Sequence, residues 1–200
     1  MEISKNDILK IKITDLTSEG MGVGKIDNFA IFVPNCAIDD ELEIKIIKSK
    51  KNYAVGRIDK ILNPSDSRIN PDCSSYLQCG GCVFRHISYE AELKAKQKKV
   101  EDAIAKIGGF KDIEVSKIIK SEDYNNYRNK AQLPISKDEN GNYYVGFFAA
   151  RSHRVVKCED CLLQPKVFNL AIDAFLNWAN IVKPSVYSEI NHSGLLRHLY

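Results

Sequence analysis

The spacing of the cysteines constrains this chain more than any other feature of its sequence. Cys73, Cys79 and Cys82 form a C-x5-C-x2-C pattern, and Cys158 and Cys161 form a C-x2-C pair much further along. A two-residue spacer lets both thiolates of a pair face one soft metal centre, so two such pairs together supply four sulfur ligands. The spacing therefore predicts an inorganic centre and a fold that brings the two segments together.

The spacing alone leaves the identity of this centre open. A zinc ribbon would use the two C-x2-C pairs and would leave Cys73 without a role. A close cysteine triad with one distant partner is instead a common way to hold an iron–sulfur cluster, and it leaves Cys158 spare. Disulfides are disfavoured because residues 1–7 carry alternating charge and lack the apolar core of a secretory signal.

The composition is that of a globular protein with a proper core. The chain has 200 residues, 44% of them hydrophobic, enough for one ordinary domain or two small ones. No apolar run approaches the length of a bilayer span, so we expect a cytoplasmic protein that does not enter membranes. The net charge of +3 neither requires nor excludes a nucleic-acid partner.

Residues 1–62 are predicted to form a small β-barrel domain. Apolar and charged residues alternate over 9–13 and 42–46, which is the period of half-buried strands. Segments 29–33 and 53–58 are further strand candidates. About five short strands separated by polar turns indicate an OB-like barrel.

A glycine-rich segment within this barrel resembles a phosphate-binding loop but lacks its essential features. Lys25 is followed by Ile26 rather than by Ser or Thr, and no helix is predicted after it. The alternation of Gly22 and Gly24 instead fits a close approach of strands. The isolated Cys36 is predicted to be a small buried residue rather than a ligand.

Residues 63–200 are predicted to form a second domain of the α+β class. A proline-containing linker, 63–71, leads to the cysteine loop, and a helix then runs from the N-cap Ser88 to Gly108. The sequence predicts that its apolar stripe faces the core and that its lysines form a solvated face. The stripe comprises Leu93, Val100, Ile104 and Ile107, and the lysines are Lys94, Lys96, Lys98 and Lys99.

The rest of this domain reads as a hairpin, a third strand and a helix. Segments 130–136 and 143–149 are predicted strands joined at Asn140-Gly141, and 154–157 is a third. A helix follows Pro165. Its predicted inward stripe comprises Val167, Ala171, Ala174, Trp178 and Ile181, widened by Phe168 and Phe175.

Several motifs resemble those of one enzyme family, the iron–sulfur-containing RNA uracil-5 methyltransferases. The front barrel is similar to the TRAM domain that these enzymes carry at the N-terminus. The resemblance spans essentially the whole chain, with the motifs in the family's order. They are the cysteine triad, Tyr127–Gln132 (YRNKAQ), Gly146–His153 (GFFAARSH), Val155–Cys161 (VVKCEDC), and, in the barrel, Gly22–Lys25 and Phe32–Pro34.

This resemblance implies a [4Fe-4S] cluster and an incomplete enzyme. The implied ligands are Cys73, Cys79, Cys82 and Cys161. The family's S-adenosylmethionine-binding domain, catalytic cysteine and general base would lie beyond Tyr200, so no catalytic residue is expected in this chain. The second domain is accordingly expected to be incomplete at its C-terminus, and the chain alone is expected to be inactive.

The resemblance also implies that the chain recognises RNA, with 23S rRNA as the expected substrate and the protein acting as a monomer. Positive side chains suit phosphates, whereas amides suit base edges and 2′-hydroxyls. The implied RNA-binding residues are Lys25, Arg128, Asn129, Lys130, Gln132, Arg151 and His153. The alternative hypothesis is a stand-alone zinc or iron–sulfur RNA-binding module without catalysis.

Overall fold

The computed structural model describes residues 3–200, which divide into two compact units. The first unit comprises the chain up to Asp72 together with Val83–Lys120, and the second comprises Cys73–Cys82 together with Ser121–Tyr200. This division differs from the predicted domains, 1–62 and 63–200. The cysteine loop belongs to the second unit, whereas the helix that follows it in sequence belongs to the first.

Within the described residues, the first unit is built around one six-stranded sheet. Its strands are β1 (Ile8–Lys12), β2 (Asp15–Leu16), β3 (Gly22–Ile26), β4 (Phe29–Val33), β5 (Glu41–Ser49) and β6 (Tyr53–Asn63). They lie in the order β1-β5-β6-β4-β3-β2, and every pair is antiparallel except β4 with β6. β1 and β2 are nearly continuous in sequence, yet they form the two opposite edges of the sheet. The sheet therefore curves round on itself. The sheet has one strand more than the five expected. The additional strand, β2, was not predicted because two residues are too few to show an alternating pattern.

The alternation of the sequence sets the core of this unit. Leu9 and Ile11 of β1 point inward, as do Leu42, Ile44 and Ile46 of β5, and all five are buried. The register places Leu9 opposite Ile44 and Ile11 opposite Leu42, so inward side chains face one another across the pair. Burial of each such side chain stabilises the fold by roughly 1.5–3 kcal/mol.

The glycines of β3 permit the close strand approach that the sequence predicted. A Cβ on Gly22 would lie 2.6 Å from the Cβ of Cys36, and one on Gly24 would lie 2.9 Å from the Cδ1 of Ile11. Cys36 itself is fully buried, and burial raises the pKa of its thiol to about 12. Cys36 is therefore a protonated core residue, as expected.

Helix α1 (Tyr89–Asp102) begins where the sequence predicts, because the amide of Ala91 donates to the Ser88 side-chain oxygen at 3.2 Å. A π-helical turn over Ala103–Ile107 extends it to Gly108. The predicted burial of its apolar stripe is wrong: no residue of α1 or of the π-helical turn is buried, and Ile107 is 87% exposed. The helix side that borders the loops of the sheet, across a cavity of about 620 Å³, carries Lys94, Lys98 and Lys99 instead of Leu93, Val100 and Ile104.

The second unit contains a four-stranded antiparallel sheet within the described chain. Its strands are β7 (Leu133–Lys137), β8 (Tyr143–Phe148), β9 (Val155–Lys157) and β10 (His198–Leu199), in the order β10-β7-β8-β9. The predicted hairpin is confirmed. The side chain of Asp138 accepts from the amides of Asn140 and Asn142, and Gly141 adopts a φ of +82°.

Helix α2 (Val167–Val182) packs against this sheet with a different face from the one predicted. Ile172, Phe175 and Leu176 contact the core, and Ala179 is fully buried. The five main residues of the predicted stripe are exposed, Trp178 at 44%, whereas Phe175, which was predicted to widen it, packs on the core. No helix in residues 3–200 has the length and apolarity that a membrane span requires.

Candidate cysteine centre and nucleic-acid interface

The loop Cys73–Cys82 is fastened to the end of β8. The amide of Gly80 donates to the carbonyl oxygen of Phe148 at 3.0 Å, and Cys79 forms a β-bridge with Ala149. A Cβ on Gly80 would lie 2.9 Å from that carbonyl and 3.0 Å from the amide nitrogen of Ala150. Only glycine therefore lets the loop approach the strand this closely.

The second C-x2-C pair follows β9, next to the same loop. The hydroxyl of Ser75 donates to the carbonyl oxygen of Lys157 at 3.3 Å, which joins the loop to the residue before Cys158. The amide of Gln164 donates to the carbonyl oxygen of Cys161 at 2.9 Å and forms the turn that follows the pair. The strand order β8-β9 thus brings distant cysteines together.

The pKa values of Cys79, Cys158 and Cys161 are shifted by neighbouring thiols, Cys73 among them. We call Cys73, Cys79, Cys158 and Cys161 the cysteine cluster. A hydrogen bond between Cys158 and Cys161 raises the pKa of Cys158 and lowers that of Cys161 to about 6. Burial raises the pKa of Cys79, and the neighbouring Cys161 and Cys73 raise it further. Cys161 is therefore the cluster member most ready to act as a thiolate.

This cluster includes three of the four predicted ligands. Cys73, Cys79 and Cys161 were predicted ligands, whereas Cys158, which was predicted to be spare, is hydrogen-bonded to Cys161. Cys82 is half-buried at the end of the same loop. In residues 3–200, no three His, Cys, Asp or Glu side chains form a site for one metal ion.

The chemistry of this donor set fits a thiolate-bound centre. Soft thiolates select zinc, copper(I) or iron–sulfur clusters over hard cations such as magnesium. A [4Fe-4S] cluster takes one thiolate at each of four irons, so its ligands need not converge on a single ion as those of zinc must. The particular ligands remain a prediction.

Arg128 lies beside the cysteine cluster. Its positive charge opposes the rise in the pKa of Cys79 and adds to the fall in the pKa of Cys161. Its backbone amide donates to the carbonyl oxygen of Leu163 at 2.9 Å, which holds the start of the YRNKAQ motif against the chain after Cys161. Arg128 therefore lies next to both Cys161 and the chain that follows it. Its contact with an RNA phosphate remains a prediction.

The other predicted RNA-binding residues are exposed and lie in both units. Lys25 is on β3 of the first unit. Asn129, Lys130 and Gln132 precede β7, which begins three residues later than the sequence predicted. Arg151 occupies the turn between β8 and β9 with a φ of +57°, an unusual conformation for a residue other than glycine.

His153 belongs to a group of polar and aromatic side chains that the sequence did not reveal. Its ring stacks on Phe148 with centroids 5.2 Å apart, and its Nδ1 lies 2.5 Å from Oε2 of Glu189. An Nη2 of Arg197 lies 3.8 Å from the other oxygen of Glu189. Arg197 precedes the two-residue strand β10, so its position depends on a pairing too short to predict.

Two lysines of α1, Lys96 and Lys98, are paired with carboxylates of their own unit. Lys96 contacts Glu92 at 2.6 Å, and Lys98 contacts Asp102 at 2.5 Å and Asp15 at 3.4 Å. Such i,i+4 pairs are typical of a solvated helix face. The two i,i+4 pairs favour the interpretation of this lysine run as a solvated helix face.

Comparison with known proteins places this geometry in context. Residues 5–58 match the TRAM domain family. A Clostridium tetani protein described as an uncharacterized RNA methyltransferase is 41% identical over 98% of this chain and 42% of its own length. A Staphylococcus epidermidis protein with the same description is 36% identical over 98% of this chain and 43% of its own length.

A solved structure also resembles the chain. It is that of the Pyrococcus abyssi tRNA (uracil-54, C5)-methyltransferase in complex with S-adenosyl-L-homocysteine, with a TM-score of 0.69 and 26% identity. The match covers 94% of this chain and 41% of that one. The chain thus carries a TRAM domain and is homologous to RNA methyltransferases, and it spans about two fifths of the length of these relatives.

Proposed function

We propose that this chain is the RNA-recognition and [4Fe-4S]-binding part of an RNA uracil-5 methyltransferase. The observation that carries the proposal is the similarity to RNA methyltransferases along 98% of the chain, with the TRAM match at its front. The uracil C5 specificity of the Pyrococcus abyssi enzyme supports the choice of target atom. We further propose that the curved sheet of the first unit is an OB-like barrel, and that the protein acts as a cytoplasmic monomer.

Methyl transfer is assigned to residues outside this chain. The relatives are more than twice as long as their matched part, and residues 3–200 contain no glycine-rich strand–helix turn that could cradle S-adenosylmethionine. We expect the chain alone to transfer no tritiated methyl group from S-adenosylmethionine to uridine in RNA. Measurable transfer by residues 1–200 would refute this division of labour and would require a catalytic cysteine among the six present.

The proposed RNA substrate is 23S rRNA. The Pyrococcus abyssi enzyme is a tRNA methyltransferase, so tRNA is the second candidate. Filter binding of the chain to transcripts of 23S rRNA domains and of tRNA, at one fixed salt concentration, compares the two directly. Tighter binding to tRNA than to every rRNA transcript would replace the proposed substrate.

The proposed phosphate contacts predict a particular salt dependence. Each phosphate contact made by a positive side chain adds about 0.7–0.9 to the slope of log K against log salt, so Lys130→Ala should flatten the slope by about one. Gln132→Ala should leave the slope unchanged and reduce the preference among transcripts. Lys96→Ala is the matched control, because Lys96 is already paired with Glu92. If Lys96→Ala flattens the slope and Lys130→Ala does not, the proposed footprint is misplaced.

The [4Fe-4S] proposal assigns Cys73, Cys79, Cys82 and Cys161 as ligands. Protein purified without oxygen should contain iron and acid-labile sulfide, and Cys161→Ser should lose both because one cluster iron is left open to solvent. Cys158→Ser should retain both, although Cys158 is the hydrogen-bond partner of Cys161. The alternative result is stoichiometric zinc without sulfide in the wild type and loss of that zinc in both variants. It would instead establish a zinc ribbon made of the two C-x2-C pairs.

A further inference from the structure

A small cavity of about 170 Å³ opens in the second unit beside the ends of β7 and β8. Its lining combines the three rings of Phe148, His153 and His198 with the carboxylate of Glu189 and the guanidinium of Arg197. A water molecule occupies about 30 Å³ of the liquid, so the cavity has the volume of about six waters. That volume suits one heteroaromatic ring and is too small for a peptide segment.

The rings at this cavity are arranged as a stacking platform. Phe148 and His153 stack with an interplanar angle of 26°, and His198 meets Phe148 edge-on with centroids 6.3 Å apart. The side chain of His153 is 72% exposed, so this end of the stack is open to solvent. Proteins hold unpaired bases against such aromatic and imidazole rings.

The polar groups at the cavity match the edge of a base. Glu189 accepts from His153 through one oxygen, but a carboxylate has about four lone-pair sites and can accept further hydrogen bonds. The guanidinium of Arg197 can donate to a carbonyl oxygen. Burial lowers the pKa of His198, which keeps its ring neutral with one donor and one acceptor nitrogen.

We propose that this cavity binds one unstacked nucleobase of the bound RNA, with Phe148 and His153 as the stacking platform and with Glu189 and Arg197 facing its edge. The proposal deepens the function proposed above and rests on it. A carboxylate beside a guanidinium favours a base that presents a ring N–H next to a carbonyl, as uracil and guanine do. Adenine and cytosine lack that ring N–H in their neutral forms.

The test uses the whole 200-residue chain and two 5′-fluorescein-labelled probes, hexauridine and hexaadenosine, in fluorescence anisotropy titrations. His153→Leu and Phe148→Leu remove the aromatic planes while keeping apolar volume, and each should weaken hexauridine binding about tenfold. The slope of log K against log salt should stay unchanged, because no charge on the RNA backbone loses its partner. Trp178→Leu removes an exposed aromatic ring from α2, outside the cavity, and should bind like the wild type.

The outcomes separate this inference from the proposed function. Wild-type affinity in both His153→Leu and Phe148→Leu, with binding still sensitive to Lys130→Ala, overturns the base site and leaves the RNA-binding proposal intact. A flattened salt slope in His153→Leu would show a phosphate contact and would also overturn it. If the wild-type chain binds neither these probes nor the rRNA and tRNA transcripts, both proposals fail. Equal affinity for hexauridine and hexaadenosine would refute the assigned roles of Glu189 and Arg197.

Discussion

The buried ion pair between Asp40 and Arg68 offers a quantitative test of what holds the first unit together. The side chain of Asp40 is fully buried and that of Arg68 is 15% exposed. Nε and Nη2 of Arg68 each lie 2.7 Å from a different oxygen of Asp40. The same carboxylate accepts hydrogen bonds from the amides of Ala37 at 2.6 Å and Ser65 at 3.0 Å, so it ties the loop after β4 to the linker after β6.

Asp40→Asn should destabilise the first unit by about 4 kcal/mol. Hydrogen bonds to charged groups contribute about 1.5–3 kcal/mol each, and two of the four come from Arg68. The amide NH₂ of an asparagine would also face donors in place of an acceptor. Removal of one partner of a buried ion pair costs about 3–5 kcal/mol in other proteins, which agrees with the expected loss of about 4 kcal/mol.

Urea unfolding followed by far-UV circular dichroism measures this loss, while tryptophan fluorescence reports on the second unit, where Trp178 lies. In a double-mutant cycle with Arg68→Met, we expect a coupling free energy of about 2–3 kcal/mol. The matched control is Asp39→Asn, at the neighbouring residue, whose 3.3 Å contact with Lys12 is exposed on both sides. It should change the unfolding free energy by less than about 0.5 kcal/mol, because exposed ion pairs contribute little. A loss below about 1 kcal/mol for Asp40→Asn would refute the argument.

Two further predictions concern stability. Burial lowers the pKa of His86 in the folded state, so the unfolded chain binds its proton first as pH falls. The unfolding free energy should therefore fall below about pH 6.5, by at most about 1.4 kcal/mol per pH unit for this group, and His86→Gln should remove that part of the slope in urea titrations. Gly80→Ala should destabilise the second unit by about 1–3 kcal/mol, because the new Cβ would meet backbone atoms of Phe148 and Ala150. Gly81→Ala, whose Cβ would meet only the sulfur of Cys79 at 3.3 Å, should cost less in thermal melts followed by fluorescence.

The strands were predictable from the sequence wherever alternation or turn chemistry was sufficient. The inward residues of β5 alternate over several positions, and Gly141 marks the hairpin by its positive φ. The strands β2 and β10 have two residues each, so their positions depend on pairing partners rather than on a local pattern. Pairing of β10 brings Arg197 close to Glu189. Because the sequence did not predict β10, it could not predict this polar part of the cavity either.

The cysteine cluster shows a different limit of sequence reasoning. Spacing predicted that the two C-x2-C segments would meet, and the pairing of β8 with β9 brings them together. Spacing could not show that Cys158 and Cys161 share a hydrogen bond, because that contact depends on side-chain orientation after a strand end. The role of Cys158 therefore depends on its hydrogen bond to Cys161, which its position in the motif does not reveal.

The packing face of α2 is rotated by one residue, roughly 100°, from the predicted one, and the cause lies in the helix itself. Its sequence carries two apolar stripes, and a period of 3.6 residues describes both equally well. The stripe that packs against the sheet includes Ala179, which is fully buried, and its small side chain lets the helix backbone approach the strands closely. The predicted stripe includes the bulky Trp178 near the same turn, which would hold the helix further from β8. The choice between the faces thus depends on the distance between helix and sheet, which hydrophobic periodicity does not encode.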